Sequence, residues 1–339
     1  MTIVKQIVGV DISMDTFNVR FGTIDTTQRS VLSSDKSFKN QLSGFKQLLT
    51  WMKKSIVSTD VPLVFVMEAT GVYYERLAHF LLQSNYSVAV VLPNKIKNYT
   101  KSLSSKSKTD PLDAAAITRF GLERQLSLWT PASGSLKALH DLSREYHTVK
   151  STMTEIKNQI HALKASFQPQ KRSLKRKTQL LALLELQARQ IEQELHRLVD
   201  ADPALAQRIS HICSAKALGF ITVVSVIAET KGFALVSNRK QLVSYAGFDV
   251  VFNDSGIKKG KTSISKKGNK FLRHALFMPA LTAVRYNPQL KTFYQRLIRK
   301  GKNKKLALIA VARKLLLLIY ALWKNNTLYD PNYQTVPHT

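Results

Sequence analysis

The chain of 339 residues is long enough for two domains and a helical spacer, each domain with its own buried core. Its composition, 44% hydrophobic and 9% aromatic, excludes general disorder. The formal net charge of +29 predicts a polyanionic partner, because so basic a surface repels itself until nucleic acid or another polyanion neutralises it. A merely basic, soluble protein is the alternative that charge alone leaves open.

Cysteine content and apolar patterning bear on the compartment. Cys213 is the only cysteine, so an intrachain disulfide and a cysteine-based metal cluster are both excluded, which fits a reducing cytosol. The opening MTIVKQIVGVDIS does not have the layout of a signal peptide. The late apolar stretch from Leu306 to Trp323 is interrupted by Arg313 and Lys314, which favours a buried helix over a membrane span. We therefore expect a cytoplasmic protein without a membrane partner.

Residues 1–135 are predicted to form a mixed α/β domain. QIVGVDI and TFNVRFGTI indicate an antiparallel strand pair, VLSSDKSF a further strand, and VPLVFVM a strand buried on both faces. Helices are predicted over residues 42–54, 73–83 and 110–122, with another strand over 87–92. Hairpin strands followed by strands that alternate with helices indicate a mixed sheet.

Residues 140–200 are predicted to form a helical spacer. Apolar residues recur at helical spacing on both sides of the turn FQPQKRS, which indicates two long antiparallel helices. They would form either a coiled-coil dimer or a hairpin packed on its own domain.

Residues 201–329 are predicted to form a mainly helical, basic domain, followed by a tail at 330–339. Two helices around Gly219 resemble a helix-hairpin-helix, whose backbone amides often meet phosphates. Further helices are predicted over 240–246, 271–284, 288–299 and 304–323. From Ser255 to Tyr329 there is no Asp or Glu, and a run this long favours phosphate binding over mere solubility.

Four acids in the first domain are candidates for a metal site. Asp11 ends the apolar strand IVGVD, and Glu68 ends LVFVME. Asp110 and Asp113 are three residues apart at the start of a helix and therefore project from nearly the same face. Oxygen-only ligands suit Mg²⁺, and two such ions would bridge a scissile phosphate. The sequence DPLD is also a helix-start signature, so capping alone would explain Asp110 and Asp113.

Three motifs of the first domain resemble those of a known family. VGVDIS, MEATGVYYERL and SKSKTDPLDAAAI are similar to the DEDD domain of the IS110 insertion-sequence transposases (the Piv/MooV group). The resemblance implies an α/β fold of the RuvC-like, RNase H-like kind. It also implies that Asp11, Glu68, Asp110 and Asp113 bind Mg²⁺, two ions in all, with Mn²⁺ as a substitute.

The resemblance continues into the C-terminal domain. ALGFITVVSVIAET, LVSYAGFDV and DSGIKKGKTSISKKGNKFLRHALF are similar to the transposase domain of the same family. The family's proposed nucleophile, a serine in a Ser-Gly pair, corresponds to Ser255, although Ser265 replaces a threonine of the family pattern. Basic residues around it are predicted to neutralise backbone phosphates: Lys258, Lys259, Lys261, Lys266, Lys267, Lys270 and Arg273. Tyr245 is a rival nucleophile, but its apolar helix favours a place in the core.

The resemblance implies a DNA recombinase that acts on donor and target DNA, is guided by a structured noncoding bridge RNA, and works as a homodimer or homotetramer. Two other readings stay open. A metal-only RuvC-like junction nuclease would not need Ser255, and a non-catalytic RNA-binding scaffold would need neither the serine nor the acids.

Overall fold

A computed structural model describes residues 2–69, 71–103, 110–131, 133–251 and 263–332, except for the side chains of residues 110–112. The chain forms two compact units, Met1–Pro131 and Ala132–Thr339. The first is a mixed α/β unit and the second is mainly helical, so the predicted change of fold class along the chain is confirmed. The helices predicted as a spacer lie in the second unit.

The first unit follows the predicted alternation of strands and helices. Its elements, in chain order, are β1 (Ile3–Ile12), β2 (Thr16–Asp25), β3 (Ser30–Leu32), β4 (Lys36–Lys39), α1 (Leu42–Ser55), β5 (Leu63–Glu68), α2 (Tyr73–Gln83), β6 (Ser87–Val91), α3 (Pro93–Ser102) and α4 (Asp110–Glu123).

The sheet has the order β3-β2-β1-β5-β6, and β4 pairs with the other end of β2. β1 and β2 are antiparallel, as predicted, with Val8 opposite Phe21. β5 runs parallel to β1, and β6 runs parallel to β5. The segment VLSSDKSF forms two short strands instead of the one predicted, and both pair with β2.

Both faces of the sheet are covered by helices. Phe65 and Met67 of β5 belong to a core that includes Phe45 of α1 and Leu77 of α2. Val66, between them, belongs to a second core on the other face, which includes residues of α3 and α4. Because successive side chains of a strand point to opposite faces, this division confirms that β5 is buried on both sides.

The second unit is built from helices and one short β-ribbon. Its elements are α5 (Gly134–Ala165), α6 (Lys171–Asp200), α7 (Pro203–Cys213), α8 (Phe220–Glu229), α9 (Arg239–Ala246), β7 (Val250–Val251), β8 (Ser263–Ile264), α10 (Lys270–Tyr286), α11 (Pro288–Arg299) and α12 (Lys304–Asn325).

Two cores stabilise the second unit. Along the α5–α6 hairpin, Met153 and Ile156 pack against Leu184 and Ala188. The larger core gathers residues of all the helices from α5 to α12 around the deeply buried helix α8. α12 is long and apolar enough to cross a membrane by length and composition alone. Since Val311, Leu315, Leu316 and Ile319 of α12 are wholly buried in this core, the prediction of a buried helix is confirmed.

Candidate functional site

Asp11 and Glu68 lie side by side at one edge of the sheet. Val10 of β1 is level with Met67 of β5 in the parallel pairing, so the next residues of the two strands, Asp11 and Glu68, are neighbours. Both also point to the same face. Gly9, two residues before Asp11, faces α4, and so does Val66, two residues before Glu68. Because side chains two apart share a face of a strand, Asp11 and Glu68 point toward α4.

Helix α4 runs back along β1 toward these acids. A side chain added at Gly121 would meet Ile7 and Val66, and one added at Gly9 would meet Ala114 and Thr118. From Ile7 to Asp11 a strand advances about 13 Å. From Gly121 back to Asp113 a helix advances about 12 Å. Asp113 therefore lies at about the level of Asp11, and the α4 backbone at Asp110 begins at the same edge.

The close approach of α4 depends on Gly9. A Cβ atom at this position would lie 2.4 Å from Thr118 Oγ1, 2.5 Å from the Thr118 backbone nitrogen and 2.7 Å from the Ala114 carbonyl oxygen. The Thr118 hydroxyl, which is fully buried, bonds the carbonyl oxygens of Ala114 at 2.8 Å and Arg20 at 3.0 Å. The glycine of VGVD thus sets how near the start of α4 comes to the strand ends.

The donor set of this edge suits a hard cation, since it consists of carboxylate oxygens. Among the residues whose side chains are described, no three His, Cys, Asp or Glu lie close enough to hold a metal ion. The side chain of Asp110, the fourth predicted ligand, falls outside that description. The strand register and the direction of α4 bring Asp11, Glu68 and Asp113 toward the same edge, but these three described carboxylates do not by themselves form a group that could hold a metal ion. The capping alternative for Asp110 stays open.

The predicted nucleophile belongs to a segment flanked by a two-stranded ribbon. β7 and β8 are antiparallel, with Val250 opposite Ile264 and Val251 opposite Ser263. Ser255, Lys258, Lys259 and Lys261 lie outside the described residues. The ribbon β7–β8, whose two strands flank this segment in the sequence, is described and is called the base.

The segment ISKKGN anchors that base to α9. The Ser265 hydroxyl donates to the Asp249 carboxylate at 3.1 Å, so the hydroxyl that serine shares with threonine has a structural partner. Gly268 has φ +156°, and a Cβ atom there would lie 2.5 Å from the Tyr245 carbonyl oxygen. Asn269 caps α10 by accepting from the backbone nitrogens of Phe271 and Leu272. Ser265, Gly268 and Asn269 of this motif therefore each have a local structural role.

A buried carboxylate ties this base to two other helices. Glu229, at the end of α8, is 4% exposed and accepts hydrogen bonds from the Arg144 guanidinium of α5 and the Asn269 amide of α10. His140 Nε2 lies 3.7 Å from the same carboxylate. The sequence shows Glu229 only as the end of an apolar helix, and its partners are far away along the chain, so local patterns could not identify this cluster.

The described basic candidates differ in their environment. Lys266, Lys267 and Lys270 are exposed. Arg273 instead donates through Nη1 to the carbonyl oxygen of Ala246 at 2.8 Å, and so satisfies the C-terminal end of α9. A structural contact thus accounts for part of the Arg273 guanidinium, while the three lysines have their ammonium groups at the surface.

Tyr245 is a packing residue, as its apolar helix indicated. Its hydroxyl donates to the Glu229 backbone carbonyl at 2.9 Å, and its ring packs against the large core. Burial raises the pKa of the Tyr245 hydroxyl, which disfavours the phenolate needed for attack on phosphorus. The rival-nucleophile reading therefore has no support in its environment.

The structure also pairs two histidines that the sequence separates widely. The rings of His147 in α5 and His274 in α10 have their centroids 4.8 Å apart. Burial lowers the pKa of His147, and the neighbouring His274 and Arg144 add to this effect, although Glu229 opposes it. No spacing pattern in the sequence could indicate this pair, because only helix packing brings the two histidines together.

Comparison with known proteins agrees with this architecture. Residues 8–169 match the family model of the IS110 DEDD transposases, described as a transposase. Residues 209–295 match the family described as "Transposase IS116/IS110/IS902 family". The chain is 31% identical over 330 residues to the "Pilin gene-inverting protein" of Moraxella lacunata and 30% identical to that of Moraxella bovis. In both cases the similarity covers 96% of this chain and 98% of the relative.

A third relative is more distant. An insertion element IS900 42 kDa protein of Mycobacterium paratuberculosis is 29% identical over 121 residues, which is 35% of this chain and 30% of the relative. The mixed α/β unit, the basic helical unit and these similarities define a DNA-recombining protein of the transposase class. The chain belongs to the IS116/IS110/IS902 family of insertion-sequence transposases and site-specific recombinases.

Proposed function

We propose that this transposase cuts and exchanges DNA strands with a Mg²⁺ site formed by Asp11, Glu68, Asp110 and Asp113, and with Ser255 as nucleophile. The observation that carries the proposal is the placement of Asp11 and Glu68 side by side, on the face of the sheet that α4 approaches. Carboxylate oxygens at neighbouring strand ends are the donors that Mg²⁺ prefers in proteins, which favours a metal-binding role.

The strand arrangement supports a RuvC-like, RNase H-like fold for the first unit. β1 and β2 are antiparallel, while β5 and β6 continue the sheet in parallel with β1. In that interpretation the acids at the end of β1, the end of β5 and the start of α4 form the metal-binding edge. The resemblance of VGVDIS, MEATG and KTDPLD to the family motifs points to the same residues.

In the proposed reaction, Mg²⁺ would supply stabilisation of the negative charge that develops on the scissile phosphate. Ser255 Oγ attacks the phosphorus and loses its proton as the new ester bond forms. The bond from phosphorus to the leaving sugar oxygen breaks, and that oxygen departs as a hydroxyl group after taking up a proton. The lysines of the acid-free region hold the phosphates that flank the reacting one.

The partners belong to the same proposal. The Pilin gene-inverting relatives point to inversion or transposition of a DNA segment, with donor and target DNA as substrates. The family resemblance adds a structured guide RNA. For a homodimer or homotetramer, the supporting observation is the outer face of α6, where Leu180, Leu183 and Leu186 are all more than 40% exposed.

Recombination in vitro with donor DNA, target DNA and a matching RNA tests the proposal. Wild type is compared with Glu68→Gln and Ser255→Ala, with exposed Asp15→Asn as the matched control for loss of one acid near the sheet edge. We expect a protein–DNA adduct that survives denaturant in wild type and Asp15→Asn, and none in the other two. Strand cleavage that persists in Ser255→Ala would favour the metal-only nuclease, and unchanged products in Glu68→Gln would favour the RNA-binding scaffold.

A further inference from the structure

A groove of about 840 Å³ lies between the middle of α5 and the first turn of α10. Lys270, Phe271 and His274 line it on the α10 side. On the α5 side it is lined by Lys150, His147 and a row of hydroxyl side chains that includes Ser151 and Thr152. Both sides of the groove thus carry charged or hydrogen-bonding side chains, and the groove lies within the second unit.

The chemistry of the lining favours an anion. Lys150 and Lys270 approach from different helices, and both are exposed. The paired imidazoles of His147 and His274 each offer at least one N–H group. Glu155 is the one carboxylate among the lining residues. Ammonium, imidazole and hydroxyl donors around an open groove are the groups that contact phosphate oxygens in nucleic-acid complexes.

Contacts behind the groove hold its α5 and α10 sides together. The Arg144 guanidinium stacks on the Phe271 ring at 3.7 Å and forms an ion pair with buried Glu229. The same carboxylate accepts from Asn269, the residue that caps α10. Glu229 thus neutralises Arg144 of α5, and its contacts with Arg144 and Asn269, called here the Glu229 clamp, link α5 to the start of α10.

The surroundings identify which anion fits. From Ser263 to Tyr329 the described chain contains no carboxylate side chain, so the lysines and arginines of α10, α11 and α12 are not offset by acids of the same segment. A small anion would not need so long a surface, whereas a nucleic-acid strand presents one charge at every nucleotide.

We propose that the α5–α10 groove holds the phosphodiester backbone of a nucleic-acid strand, with Lys150 and Lys270 contacting phosphates and His147 and His274 donating to them. The inference rests on the proposed function, because it supplies a substrate-binding site for that recombinase. It adds a contact outside the acid edge and outside the segment of Ser255, and it involves helix α5, which neither the metal nor the nucleophile requires.

Binding of full-length protein to a single-stranded DNA oligonucleotide, and to RNA of the same sequence, tests the site over a salt series. The groove variant is Lys150→Gln with Lys270→Gln. Its matched control is Lys164→Gln with Lys291→Gln, which removes the same charge from exposed positions outside the groove. Thermal melting of both variants verifies that the second unit is folded.

We expect the groove variant to bind about tenfold more weakly than the control, since it loses charge-assisted hydrogen bonds as well as charge. The slope of log affinity against log salt should fall by about 1.4 for single strands. Loss with DNA only assigns the groove to the substrate, and loss with RNA only assigns it to the guide. Equal weakening of both variants with both strands overturns the proposal.

A second measurement needs no substitution. Lysine acetylation of wild-type protein, read by mass spectrometry, should show Lys150 and Lys270 protected by bound nucleic acid and Lys164 unprotected. Equal modification of all three with and without the strand contradicts the groove. Failure of the proposed function would appear elsewhere, as recombination that persists in Glu68→Gln, so the two failures are distinguishable.

Discussion

The two units use carboxylates in opposite ways. In the first unit, Asp11 and Glu68 are partly exposed near the ends of two neighbouring strands. In the second, Glu229 is buried and accepts hydrogen bonds from Arg144 and Asn269, so its charge is offset within the unit. The environment of an acid thus separates two roles: the partly exposed pair suits the proposed metal site, and the buried acid links three helices of the second unit.

The largest expected effect is on catalysis in the first unit. Glu68→Gln should lower recombination by at least about 100-fold while the protein remains folded, because the amide cannot supply the charge that holds a divalent cation. Initial rates of product formation measure this, with Asp15→Asn beside it as control. A Glu68→Gln rate within a few-fold of wild type would show that the sheet edge is not the reaction centre.

The next largest effect is a loss of stability that is confined to the first unit. Gly9→Ala places a methyl group against the backbone of α4, so we expect the first unit to lose about 3 kcal/mol. Gly134→Ala is the matched control, since a Cβ atom at Gly134 meets nothing within 4 Å. Thermal unfolding with near-ultraviolet and far-ultraviolet detection resolves the result. An unchanged melting temperature in Gly9→Ala contradicts the close packing of α4 on β1.

Glu229→Gln should have a smaller effect, confined to the second unit. The substitution removes the charge that pairs with Arg144, and we expect a loss of about 2 kcal/mol, less than for a fully buried pair because the Arg144 side chain is 39% exposed. The exposed Glu194→Gln is its control. Urea unfolding measures both. Equal stability of the two variants would mean that the contacts of Glu229 with Arg144 and Asn269 do not hold α5, α8 and α10 together.

The smallest effect concerns pH. The folded-state pKa of His147 is lowered from its ordinary value of 6.5, mainly by burial, so the unfolded chain binds a proton more readily than the folded one. This contribution to stability is complete above pH 6.5 and is lost as the pH falls toward the lowered pKa. His147→Gln should therefore weaken the decline of stability between about pH 7 and pH 5. A decline as steep as in wild type contradicts the assignment to His147.

Local sequence patterns predict most of the fold. The alternation in QIVGVDI and TFNVRFGTI identifies the β1–β2 hairpin, and α2 has the predicted bounds of Tyr73 and Gln83. α3 was missed because its sequence PNKIKNYTKS is mostly polar and buries only Ile96 and Tyr99, which gives no periodic apolar signal.

Of the candidate site, only the residues near the ends of strands could be predicted from the sequence. Asp11 and Glu68 follow apolar strands, so their positions could be read from the sequence once a parallel pairing was assumed. Glu229, Arg144 and Asn269, like His147 and His274, are brought together by helices distant along the chain. No spacing rule relates such residues, and only tertiary packing reveals them.

Binding of Mn²⁺ to the full chain, followed by electron paramagnetic resonance of the free ion, tests the central claim about the sheet edge most directly. We expect wild type and Asp15→Asn to bind the ion equally, and we expect the double variant Asp11→Asn with Glu68→Gln to lose this binding while its melting transitions persist. Undiminished Mn²⁺ binding by the folded double variant would contradict a metal site at the ends of β1 and β5.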